Sequence, residues 1–141
     1  IENMEKITIF VDGCSINNPG QSGIGVVGYN GKKRIFTVAK TIGLATNNVA
    51  EYEALIEAFN IAFKKKYKDI EVFSDSMLVV QQTNSEWKTK DKNMKRLCNI
   101  AKDRAGMLKK WSLKYIPREE NTEADELSKE GAGGSYKEEE H

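Results

Sequence analysis

The chain has 141 residues with 22 Lys and Arg against 21 Asp and Glu, a net charge of +1, so no overall basic bias marks it as a polyanion binder. Its 39% hydrophobic and 30% charged content fits one folded domain with a real core and excludes a disordered chain. No apolar run approaches the roughly 20 residues that span a bilayer, and no signal peptide is evident.

Ile1-Glu2-Asn3 precedes Met4 and reads as an appended leader, with the domain running over residues 5–131 and a flexible tail over 132–141. Ile7, Ile9 and Val11 alternate with Thr8, Phe10 and Asp12, which predicts a first strand ending in an acid. Gly13–Gly20 is dense in Gly, Asn, Ser and Pro and reads as a loop. Gly23–Tyr29 and Lys33–Gly43 read as two more strands joined by the short-hairpin pair Asn30-Gly31. Asn47–Lys66 is the strongest helix, with Ala50, Ala54, Ala58, Ile61 and Ala62 at helical spacing and Leu55, Phe59 and Phe63 widening the stripe. Ile70–Asp75 reads as a strand, Met77–Gln82 as a short helix, Asn84–Asp91 as a polar connection and Asp91–Leu108 as an amphipathic helix. Trp111–Ile116 is a fifth strand stopped by Pro117, Arg118–Thr122 a loop, and Glu123–Gly131 a last helix. This order predicts an α/β fold with a five-stranded mixed sheet: three antiparallel strands, then two parallel strands reached by helical crossovers.

Cys14 and Cys98 match no metal-ligand spacing and suggest reduced thiols in a cytoplasmic protein. Basic residues gather at Lys32–Arg34, Lys64–Lys66, Lys88–Arg96 and Lys109-Lys110, which are ordinarily solvated faces. The Lys88–Arg96 stretch stands apart because it adjoins Trp87.

Four acids carry the functional argument, and each has a plainer explanation. Asp12-Gly13 is compatible with a simple turn. Asn48 with Glu51, and Thr122 with Asp125, have capping-box spacing. Asp75 suits the N-cap of the next helix. Together, however, Asp12 and Asp75 end strands while Glu51 and Asp125 begin helices, and such positions gather in the crevice beyond the strand ends of an α/β sheet. Carboxylates converging there repel unless a cation neutralises them, and hard oxygen donors favour Mg²⁺ or Mn²⁺. Two such ions about 4 Å apart suit in-line displacement at phosphorus. The one histidine, His141, lies at the chain end and is not a catalytic candidate.

Asp12-Gly13 with Asn18-Pro19-Gly20, Thr46-Asn47-Asn48 with Ala50-Glu51-Tyr52, Ser74-Asp75-Ser76, and Pro117-Arg118-Glu119 with Asn121, Ala124-Asp125 and Leu127 stand in order along the chain. In these four motifs the sequence resembles type 1 ribonuclease H over roughly Lys6 to Gly131. The resemblance implies a ribonuclease H-like fold and hydrolysis of the RNA strand of RNA–DNA hybrids, leaving 5′-phosphate and 3′-hydroxyl ends. It implies two Mg²⁺ or Mn²⁺ ions held by Asp12, Glu51, Asp75 and Asp125. Asp12 would bridge both, Glu51 and Asp75 would share one, and Asp125 would hold the other. It further implies nucleic-acid contacts from Gly13, Cys14, Asn18, Thr46, Asn47, Asn48, Met77, Trp87, Lys88 and Lys90. Trp87 has an alternative role as an aromatic anchor for its loop.

Three departures are visible. The loop Pro117–Ala124 lacks the histidine of better-studied bacterial members, leaving Arg118 and Glu119 as candidates to assist product release. Met77 stands where a glutamine often follows the third acid. Trp87–Asp91 leads straight into the next helix, with no added basic helix between. The pattern is similar to the short archaeal-like and reverse-transcriptase-like branch, which leaves room for double-stranded RNA as a second substrate. The alternatives are a non-cleaving nucleic-acid-binding module and a nuclease of the same superfold acting on branched DNA. Nothing in the sequence demands more than a monomer.

Overall fold

The computed structural model describes residues 5–141, so the residues read as appended ahead of Met4, and Met4 itself, lie outside the described residues. The first strand, β1 (Lys6–Ser15), runs through the middle of the sheet because Ile7, Ile9 and Val11 are all buried on one face. β2 (Gly20–Asn30) and β3 (Lys33–Ala45) follow as an antiparallel meander. Gly31 closes their turn at φ 62°, the left-handed region this hairpin needs. β4 (Asp69–Ser74) lies parallel to β1, and β5 (Lys110–Tyr115) parallel to β4. Parallel neighbours need crossovers, and these are α1 (Asn47–Lys64) ahead of β4, then α2 (Met77–Thr83) and α3 (Lys92–Ala105) ahead of β5. A single 3₁₀ turn, Arg118–Glu120, precedes α4 (Thr122–Ala132). No helix among the described residues is long and apolar enough to cross a membrane.

The sheet has six strands rather than five, in the order β5-β4-β1-β2-β3-β6. The extra strand, β6 (Lys137–Glu140), falls inside the expected tail and pairs antiparallel with Phe36–Ala39 of β3. All four of its side chains are exposed. The pairing is made by main-chain groups that cover the open edge of β3, so no side-chain pattern announces it.

The two faces of the sheet are filled differently. On one face, α1 and α3 bury Tyr52, Leu55, Phe59 and Leu97 against Ile7, Ile9, Val11, Ile70 and Val72. On the other, α4 meets β2 and β3 through a small cluster of Val27, Ala39, Ala124 and Leu127, flanked by Phe10 and Tyr29. There the strand is glycine. A Cβ on Gly25 would sit 2.3 Å from the Ala124 carbonyl oxygen and 2.6 Å from the Ser128 nitrogen, so only glycine lets the helix come this close. Gly25 is the antiparallel partner of Asp12, and this contact therefore brings α4 to the first acid.

Candidate active site

Asp12 lies on the α4 face of β1 and is only 3% exposed. Gly13 follows directly against α1; a Cβ there would fall 2.2 Å from the Ala50 carbonyl carbon. Glycine thus allows the start of α1 to touch β1, and the Gly13 N–H donates to Glu51 Oε1 at 2.6 Å. The capping box expected at Asn48 and Glu51 is not formed. Thr46 caps α1, its hydroxyl accepting from the Val49 N–H at 3.2 Å, and Glu51 is left to face the strand.

The other two local explanations also give way. Ser76, not Asp75, caps α2 by accepting from the Val79 N–H at 3.3 Å. Asp75 instead accepts from Asn121 Nδ2 at 3.1 Å. Asn121 occupies the N-cap position of α4 yet makes no side-chain cap bond, so the Thr122–Asp125 box is absent. Its buried amide also donates to the Val11 carbonyl at 2.9 Å, tying the turn before α4 to the end of β1.

Asp12, Glu51 and Asp75 each offer an oxygen, and these oxygens lie within 4.8 Å of one another. Asp125 lines the same cleft, together with Gly13, Cys14, Ser15, Asn47, Arg118 and Lys129, but stands outside that close group. Its Oδ2 is 2.9 Å from Lys129 Nζ and its Oδ1 is 3.6 Å from Arg118 Nη2. The four expected acids are therefore arranged as three plus one.

Their electrostatics differ accordingly. Burial, and then the charge of Asp75, push the Asp12 carboxyl up to about 7. Burial, with Asp12 and Asp75 beside it, raises Glu51 well above the usual carboxylate range. Burial acts upward on Asp125 too, but the hydrogen bond from Lys129, the contact with Asp12 and the charge of Arg118 outweigh it and hold Asp125 low. The triad is an uncompensated, all-oxygen donor set, and it fits a hard divalent cation such as Mg²⁺ or Mn²⁺.

Beside the cleft runs a groove of about 860 Å³ lined by Asn18, Thr46, Asn47, Asn48, Lys88 and Lys90, among others. Asn47 lines both regions. Its N–H donates to Asn18 Oδ1 at 2.9 Å while its Oδ1 accepts from the Ser15 N–H at 2.8 Å, fixing the two loops to each other. Cys14 lines the acid cleft, its thiol pushed up by burial. Met77 and Trp87, 41% and 48% exposed, line neither region. Of Arg118 and Glu119, only Arg118 lines the cleft.

Three participants carried no role in the sequence reading. Asn121 appeared there only within a motif. Ser128 is fully buried and donates to Asp12 Oδ2 at 2.9 Å or to the Asp125 carbonyl at 2.7 Å. Lys129 pairs with Asp125. Ser128 and Lys129 follow Asp125 by three and four residues, the helical spacing that would have pointed to them.

The sequence profile of the reverse transcriptase-like family matches residues 10–131. A ribonuclease HI of Halobacterium salinarum is 37% identical over 126 residues, which cover 89% of this chain and 63% of that protein. The chain thus spans somewhat under two thirds of that relative's length. A ribonuclease H of Actinobacillus pleuropneumoniae is 34% identical over 146 residues, covering 92% of each. The crystal structure of LC11-RNase H1 in complex with an RNA/DNA hybrid superposes with a TM-score of 0.84 at 36% identity, covering 91% of this chain and 97% of that one. With three acids gathered beside the end of β4 and the profile covering nearly the whole domain, the chain belongs to the type 1 ribonuclease H family, in its reverse transcriptase-like branch.

Proposed function

We propose that this protein hydrolyses the RNA strand of RNA–DNA hybrids, leaving 5′-phosphate and 3′-hydroxyl ends. One observation carries the reading: three carboxylates from β1, α1 and the end of β4 bring oxygens within 4.8 Å of one another. A structural role gives no reason to gather them, because the mutual repulsion opposes folding. The related enzyme structure bound to an RNA/DNA hybrid supports the substrate class.

Asp12, Glu51 and Asp75 would hold one Mg²⁺ or Mn²⁺ ion, and Asp12 with Asp125 a second. Ions bound there supply a water of lowered pKa and charge compensation at the scissile phosphate. The remaining work falls to the chain. Gly13 N–H fixes the Glu51 carboxylate, Ser128 fixes Asp12, and Asn121 fixes Asp75. Gly13, Cys14, Asn18, Thr46, Asn47 and Asn48 offer polar groups to the sugar-phosphate backbones, while Lys88 and Lys90 meet DNA phosphates. Trp87 and Met77 serve farther along the duplex, where their exposure allows stacking and apolar contact. Arg118, beside Asp125, is the candidate to assist product release in place of the missing histidine. Two free thiols suit a reducing compartment, and we assign the enzyme to the cytoplasm as a monomer.

A labelled substrate panel of hybrid, duplex RNA, duplex DNA and a junction with one ribonucleotide tests this, run in Mg²⁺ and Mn²⁺ with a chelator control. Cleavage of hybrid that the chelator stops is the expected result, with duplex RNA the second substrate. Binding of hybrid without cleavage in either metal would make the protein a binding module instead.

A further inference from the structure

The acid cleft holds two kinds of carboxylate. Among the described residues no Lys or Arg forms an ion pair with Asp12, Glu51 or Asp75, whereas Asp125 is already paired on both oxygens, to Lys129 at 2.9 Å and Arg118 at 3.6 Å. The acid precedes the base by one helical turn on α4, the favourable order for such a pair. Yet the Lys129 side chain is 60% exposed, so its ammonium can swing into water at little cost. It lines the same cleft as Asp12 and Asp125, where a divalent ion shared by those two acids would take over the compensation of Asp125.

We infer that Lys129 is an internal competitor for the second divalent ion: its ammonium compensates Asp125 while that position is empty of metal and leaves when an ion arrives. This rests on the hydrolase reading above. It makes the two ion sites unequal. The triad has no ion pair to break and fills first; the Asp12–Asp125 position must break an existing one and fills at higher concentration. Lys129 thereby sets the divalent concentration at which the site becomes complete. Arg118 contributes less, because its contact is longer.

The test is calorimetric titration of the full chain with Mn²⁺, without nucleic acid, for wild type, Lys129→Gln and Lys129→Arg. The glutamine variant should bind the weaker ion about two- to fivefold more tightly, the range expected for losing an exposed ion pair, with the tighter step unchanged. The arginine variant keeps the charge and should behave as wild type. The Mn²⁺ concentration giving half-maximal hybrid cleavage should fall by the same factor in the glutamine variant. A weaker step that is unchanged or loosened in Lys129→Gln overturns the inference and leaves the hydrolase reading intact. A wild-type chain that takes up no Mn²⁺ overturns both.

Discussion

The helices that deliver Glu51 and Asp125 both meet the sheet at a glycine, but the rest of each is held differently. α1 is fixed by volume: Tyr52, Leu55 and Phe59, all fully buried, interlock with the sheet. α4 is fixed by the absence of volume, lying on Gly23 and Gly25 with only Ala124 and Leu127 in its apolar cluster. Core burial tolerates some relaxation around a lost side chain, whereas a backbone-to-backbone contact of this kind does not tolerate an added atom. Among the described residues α1 supplies Glu51, which has no ion-pair partner, and α4 supplies Asp125, which is paired. Precision on the α4 side thus comes from main-chain contact, and on the α1 side from a well-filled core together with one close approach at Gly13.

The largest effect should come from the triad. Asp75→Asn keeps an oxygen that can accept from Asn121 but removes a charge from the ion-binding group, and should lower hybrid cleavage by at least about 10³-fold. Folding should not suffer. The lost charge relieves repulsion on Asp12 and Glu51, so the metal-free melting temperature should be equal or higher. A variant that unfolds instead would return Asp75 to a structural role.

The contrast between the helices can be broken directly. Phe59→Ala should cost about 3–5 kcal/mol by urea denaturation, while the protein that remains folded keeps its turnover. Gly25→Ala must push α4 away from β2 and should cost about 1–3 kcal/mol. Its cleavage rate should fall out of proportion to that loss, because Asp125 and Ser128 move with the helix. Equal turnover in the two folded variants would dissolve the distinction.

The pH dependence sharpens it further. Between the ordinary Asp value of 3.8 and about 7, folded Asp12 holds a proton that the unfolded chain has released, and Glu51 shifts the same way. Stability in a chelator should therefore be highest at the acid end and fall as pH rises through about 7, on the order of a few kcal/mol in total. Asp125, held low, contributes in the opposite sense: its stabilisation is present at neutral pH and lost only on strong acidification. Mg²⁺ should flatten the fall. Urea midpoints from pH 5 to 7.5 with chelator or Mg²⁺ measure both, and a midpoint that rises with pH in chelator would contradict the crowding of the triad.

Much of this was legible from residue order alone. Alternation in Ile7–Asp12 located β1 and the side on which Asp12 lies, and the apolar stripe from Ala50 to Ala62 located α1. The caps were not legible, because Asn48, Asp75 and Thr122 have the chemistry of caps and only tertiary contacts decide that Thr46 and Ser76 serve instead. β6 was hidden because its pairing with β3 is made through the main chain and all four of its side chains are exposed, so no burial pattern marks it. Asp125 looked equal to the other acids, although Lys129 one helical turn later could have marked it as the paired one.

The finest test concerns Ser128, where the two sides meet. Its one hydroxyl proton has two acceptors, the Asp12 carboxylate and the Asp125 carbonyl, so it links an acid on β1 to the backbone of α4. The site is fully buried, so removing the hydroxyl leaves both acceptors without that donor. Ser128→Ala should fold and cost about 1.5–3 kcal/mol, the range for a hydrogen bond to a charged group. Asp12 then loses a donor that lowers its proton affinity, so its carboxyl should rise further. The ion must displace that proton, and the Mg²⁺ concentration for half-maximal cleavage should increase at pH 7 but converge with wild type at higher pH. A purely structural role for Ser128 predicts the same loss of stability with no such convergence, because a displaced helix would impair cleavage at every pH.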